Sequence, residues 1–72
     1  MNPRSLRVFA FIGDFIGDHD YAPSIKEIGE ACDIPSTSSV VYHLDILERE
    51  GYIARDREIA RSIRILRGGD AS

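Results

Sequence analysis

The sequence predicts a mainly α-helical domain that ends in a small β-hairpin, and three observations carry that expectation. Apolar residues recur at spacings of three, four and seven from Ser5 to about Asp18, the periodicity of an amphipathic helix. Ser24-Ile25-Lys26-Glu27 and Ser36-Thr37-Ser38-Ser39 supply two further helix starts. Beyond Gly51 the pattern changes to β-branched and aromatic residues, with Ile63 and Ile65 alternating with Ser62 and Arg64.

Taken in order, the first helix places Val8, Phe9, Ile12, Phe15 and Ile16 on one face. Asp18 to Pro23 breaks it, because Pro23 disfavours the helical region at Ala22 and Asp20 tolerates a left-handed turn. A capping box of Ser24 and Glu27 opens the second helix, which is expected to bury Ile25, Ile28 and Cys32 over about two turns. Asp33-Ile34-Pro35 ends it, and Ser36 is the expected N-cap of a third helix running to about Glu50 with Val40, Leu44 and Leu47 on its core face. Gly51 then takes the left-handed position past the helix end. Tyr52–Arg55 and Ser62–Leu66 read as two strands joined by a longer, mobile loop, since the tip from Asp56 to Arg61 lacks Gly and Pro. Two short helices about a tight turn, preceded by one helix and followed by a two-stranded wing, make a winged helix-turn-helix. Residues 1–67 form that domain, and residues 68–72 read as a linker or disordered tail.

The 72-residue length excludes a multidomain enzyme, and no apolar run approaches the roughly 20 residues of a membrane span. Neither a membrane partner nor a secretory signal is expected, which places the chain in the cytoplasm. Cys32 is the only cysteine, so no internal disulfide and no cysteine cage for a metal can form. His43 has only His19 as a second imidazole, without zinc spacing, and reads as a packed structural residue; Cys32 reads as a small buried apolar one. Acids such as Asp18/Asp20 and Glu48/Glu50 lack the concave apolar setting of a catalytic pair. No cofactor, metal, small-molecule substrate or catalytic residue is expected.

The net charge of −3 hides a polar distribution. Residues 10–48 set Lys26 against eight acids, whereas residues 49–67 carry Arg49, Arg55, Arg57, Arg61, Arg64 and Arg67 against three. With Arg4 and Arg7, both ends are cationic, which orients the chain toward an anionic partner despite its total charge. Arg4, Arg7 and Lys26 lie near helix starts, where a positive side chain does not serve the helix dipole; an external phosphate accounts for them better.

The residues themselves are more particular than the architecture. Val8-Phe9 with Phe11-Ile12, Tyr21-Ala22-Pro23-Ser24, Glu27-Ile28-Gly29, Ser36 to Ser39, His43-Leu44, Leu47-Glu48 with Gly51-Tyr52-Ile53, and Arg61-Ser62-Ile63-Arg64-Ile65 together resemble the N-terminal DNA-binding domain of the LexA family of SOS repressors. The resemblance runs without gaps from about Arg4 to Ile53. It implies a sequence-specific repressor module that binds a double-stranded DNA operator. It also implies that Ser36, Ser38, Ser39, Val41 and Tyr42 read bases in the major groove. The DNA backbone falls to Arg4, Arg7, Lys26, Thr37, Arg55, Arg57, Arg61 and Arg64.

Three departures qualify that transfer. Family members usually have Gly where Asp20 and Asp33 stand, both of them left-handed turn positions. Family repressors carry a second, autoproteolytic domain with a Ser/Lys pair and an Ala-Gly scissile bond, and none of it lies within these 72 residues. Val41 and Tyr42 replace residues that are often polar, so Val41 is expected to meet a thymine methyl and the operator to differ from the usual SOS box.

Bland explanations stand beside these. The hydroxyls from Ser36 to Ser39 also suit a plain helix start, Tyr42 a cover for its helix, and the wing arginines ordinary solvated charges. Leu6, Ala10, Gly13 and Gly17 line one side of the first helix, either packed closely within the chain or meeting a second copy in a weak homodimer. The alternative functions are a winged-helix protein-interaction module and an antagonist of a related repressor.

Overall fold

The structure is a computed structural model and describes residues 3–56, 58–59 and 61–66; Arg57, Arg67 and the expected 68–72 tail lie outside the described residues. Helix α1 spans Pro3–His19, α2 spans Ile25–Ala31 and α3 spans Thr37–Arg49, followed by short strands β1 at Ile53–Ala54 and β2 at Arg64–Ile65. The strands pair antiparallel, with Ile53 opposite Ile65 and Ala54 opposite Arg64. Helices α1 and α2 both pack on α3, and β1 joins α3 to the hairpin. This is the winged helix-turn-helix that the element order predicts.

Local chemistry sets each boundary. Asp20 and Asp33 adopt φ of 65° and 60°, the left-handed turns after α1 and α2, and Gly51 adopts φ 85° after α3. Asp tolerates that region because its short polar side chain can hydrogen-bond the local backbone, at more cost than Gly. The capping box of α2 is formed in full: Ser24 Oγ accepts from the Glu27 N–H at 3.1 Å, and Glu27 Oε1 accepts from the Ser24 N–H at 2.8 Å.

The core gathers Val8 and Ile12 from α1, Ile28 and Cys32 from the α2 region, and Ile34 from the turn. Ala22 before α2, Val40, Leu44 and Leu47 of α3, and Ile53 and Ile63 of the hairpin complete it. Phe9, Phe11, Ile16 and Tyr52 close its edge, the Phe9 and Tyr52 rings meeting edge-on at 5.2 Å. Ile25 departs from expectation. As the first residue of α2 it is 36% exposed and faces a groove shared with Val41 and Ile59. Gly29 packs against the turn and α3: a Cβ there would meet the Ile34 carbonyl at 2.9 Å and Val40 Cγ2 at 3.4 Å.

Two other expectations change. The strands are two residues long because Ser62 Oγ takes over the Asp56 backbone, accepting from its N–H at 2.9 Å and donating to its C=O at 2.7 Å. Asp56 Oδ1 accepts from the Glu58 N–H at 2.9 Å, so a local turn replaces further ladder pairing. On α1, Gly13 and Gly17 are exposed, and a Cβ at either would meet nothing within 4 Å. Close packing within the chain therefore does not account for this stripe.

Candidate nucleic-acid interface

The first turn of α3 is an exposed row of small hydroxyls. Ser36 holds the N-cap position with extended backbone (φ −111°, ψ 131°), yet its side chain makes no capping hydrogen bond. Ser36, Thr37, Ser38 and Ser39 are all exposed, and among the described residues none of their hydroxyls has a partner. Backbone N–H groups at such a terminus, with the positive end of the helix dipole, favour an anion, and short side chains let it come close.

One turn further along, Tyr42 is 59% exposed, with its ring edge-on to His43 at 5.2 Å. Val41 is half-buried rather than fully open, since its inner side lines the groove against Pro23, Ile25 and Ile59. Five of the residues expected to meet DNA, Ser36, Thr37, Ser38, Ser39 and Tyr42, are thus exposed, and Val41 is half-buried.

The cations divide into two groups. Arg4 and Arg7 on α1, Lys26 on α2 and Arg64 on β2 are exposed, and among the described residues none of them has an ion-pair partner. Arg55 and Arg61 are engaged within the fold. The Arg55 side chain is 6% exposed; its Nε donates to Glu48 Oε1 at 3.1 Å, and its Nη2 donates to Asp45. Arg61 holds the Glu27 carboxylate with both terminal nitrogens, at 2.8 and 3.2 Å. Phosphate contact by Arg55 or Arg61 therefore requires breaking a formed ion pair. The Arg57 position lies outside the described residues.

Sequence reasoning passed over the acidic members of these pairs. Asp45 and Glu48 stand one helical step apart on α3, a spacing that can take a cation. Nothing local points to Glu27 as the partner of Arg61, 34 residues away. Ser5 was also missed: it is fully buried, with Oγ hydrogen-bonded to His43 Nδ1 at 2.8 Å. Burial, and secondarily the charge of Arg4, holds the His43 imidazole below its usual pKa. His43 is accordingly a structural residue tying α1 to α3. Burial likewise raises the Cys32 thiol, which suits an inert core side chain. Among the described residues no group of three His, Cys, Asp or Glu side chains could hold a metal, and no helix is long and apolar enough to cross a membrane.

A sequence profile described as the LexA DNA binding domain matches residues 1–62. The chain belongs to the LexA DNA-binding domain family. The LexA repressor of Anaeromyxobacter dehalogenans is 49% identical over 63 residues, covering 88% of this chain and 28% of that protein. Those of Exiguobacterium sp. and Frankia casuarinae are 44% and 41% identical over 66 residues, covering 92% of this chain and 32% and 26% of theirs. The chain thus spans about a third or less of the LexA repressors it matches. The LexA profile reaches past Ile53 into the wing loop, so the helices and the start of the wing share one family pattern.

Proposed function

We propose that this LexA-type domain binds duplex DNA sequence-specifically and represses transcription by occupying an operator, as part of an SOS-type response. The observation that carries the reading is the run of exposed, unpartnered hydroxyls at the start of α3, followed along the helix by Val41 and Tyr42. In this reading α3 enters the major groove. Ser36, Ser38, Ser39, Val41 and Tyr42 meet base edges, with the outer methyl of Val41 against thymine. Thr37, Arg4, Arg7, Lys26 and Arg64 meet phosphates and fix the register. Arg55 contributes indirectly, by neutralising Asp45 and Glu48 on a helix that must approach a polyanion.

A single module of this kind buries only about 600–1,000 Å² on DNA, so two copies on a two-fold site supply the specificity. Selection from a random duplex pool, followed by titration of the recovered site across a salt series, tests the proposal. The four cations assigned to phosphates give a log–log salt slope of about −3.6. Recovery of no preferred sequence, together with no binding at low salt, overturns it.

A further inference from the structure

Among the described side chains, Arg61 is held from the most directions. Nη1 donates to Glu27 Oε1 at 2.8 Å and to the Ala22 carbonyl at 3.2 Å, while Nη2 donates to Glu27 Oε2 at 3.2 Å. Its guanidinium carbon lies 5.1 Å from the centre of the Tyr21 ring. The Arg61 backbone has φ 58°, a region that a residue with a Cβ keeps only when its surroundings hold it there. The partner carboxylate is itself fixed, because Glu27 Oε1 also closes the α2 capping box on the Ser24 N–H. The pairing lowers the pKa of Glu27 and raises that of Arg61. One carboxylate therefore secures both the start of α2 and the returning arm of the hairpin.

The geometry that grips this carboxylate is the one a phosphate would need. A phosphate arriving at Arg61 would have to displace a bidentate partner and would meet its negative charge. Arg64, three residues on, is exposed and, among the described residues, forms no ion pair, although it shares a shallow groove with Asp56 and Glu58. We propose that Arg61 and Glu27 are positioning residues: together they dock the wing on the α2 start, and so present Arg64 to the DNA backbone without touching DNA themselves. The proposal rests on the domain's binding duplex DNA, and reassigns Arg61 within that reading.

The test compares the wild-type domain with Glu27→Gln, Arg61→Met, the double variant and Arg64→Met. Each is titrated by fluorescence anisotropy on a duplex recovered by selection, at several salt concentrations. Gln at position 27 retains a capping oxygen, so α2 keeps its start. A contact with one phosphate contributes about 0.9 to the log–log slope. Arg64→Met is expected to flatten the slope by about that much. Glu27→Gln and Arg61→Met are each expected to weaken binding about tenfold at unchanged slope, because Arg64 still reaches its phosphate in the complex and only the cost of ordering the wing rises, and the double variant to be no weaker than either. In the DNA-free protein, the same two variants are expected to speed amide exchange about tenfold at Asp56 and Leu66, the hairpin positions bonded to Ser62 and Tyr52. A flattened slope in Arg61→Met, with Glu27→Gln binding as wild type or tighter, identifies Arg61 as a phosphate ligand and overturns the proposal. Unchanged exchange in both variants overturns the docking role without recourse to DNA. Failure of the wild-type protein to bind any duplex sinks the DNA reading itself, an outcome the exchange data keep separate.

Discussion

Ser5, Ser24 and Ser36 each sit at a helix start or in a helix's first turn, and they do different work. Ser5 is buried against His43, and Ser24 closes a capping box with Glu27. Ser36 occupies the same N-cap position on α3, and its side chain makes no capping bond. The arginines divide the same way: Arg55 and Arg61 are paired inside the fold, while Arg64 stands open. A residue type that suits DNA does not by itself mark a contact. The contacts we propose are polar groups left without an internal partner on an exposed surface, on which folding places no other demand.

The strongest way to break this comparison is to reverse the open charges. Lys26→Glu with Arg64→Glu is expected to lower duplex affinity at least about 100-fold and to flatten the salt slope by about 1.8, with helical circular dichroism unchanged. Retained DNA affinity in that variant, with the same fold, would instead favour a protein-interaction role. Next in size is the turn that aims α3. Gly29→Ala drives a methyl onto the Ile34 carbonyl and is expected to destabilise by about 1–3 kcal/mol, read as a lower urea midpoint at constant m.

The two N-caps provide a sharper contrast at smaller magnitude. Ser24→Ala is expected to cost about 1 kcal/mol of stability, whereas Ser36→Ala stays within about 0.5 kcal/mol and instead weakens specific DNA binding. Equal stability losses would mean that Ser36 caps its helix after all.

The smallest effect concerns Ser5 and His43. Because burial depresses the folded-state pKa of His43, the unfolded chain takes up the proton first as pH falls. Stability is complete above about pH 6.5 and declines as pH drops from there toward the lower folded value. Urea midpoints at pH 7.5 and 5.5 measure the decline, and His43→Gln is expected to reduce it.

Most of the fold was legible because its signals are local. The Ser24/Glu27 box, the turns at Asp20 and Asp33, Gly51 after α3 and the core face of Val40, Leu44 and Leu47 all depend on neighbours within about one or two turns of chain. The candidate surface was legible as far as α3, where helical periodicity separates inner from outer positions. Legibility ended at contacts between distant segments. Arg61 meets Glu27 across 34 residues and Ser5 meets His43 across 38, and no spacing rule reaches that far. Strand length failed for a related reason: a single Ser62 hydroxyl captures the backbone groups of Asp56 and ends the ladder early.

The bare outer side of α1 has a practical consequence. Gly13 and Gly17 are exposed mid-helix residues with empty space where a methyl would go, so alanine at each is expected to add about 0.5–1 kcal/mol. In a domain this small that corresponds to about 4–8 °C of melting temperature per kcal/mol, obtained without altering any group proposed to meet DNA. Thermal hardening of the scaffold can therefore proceed independently of operator choice.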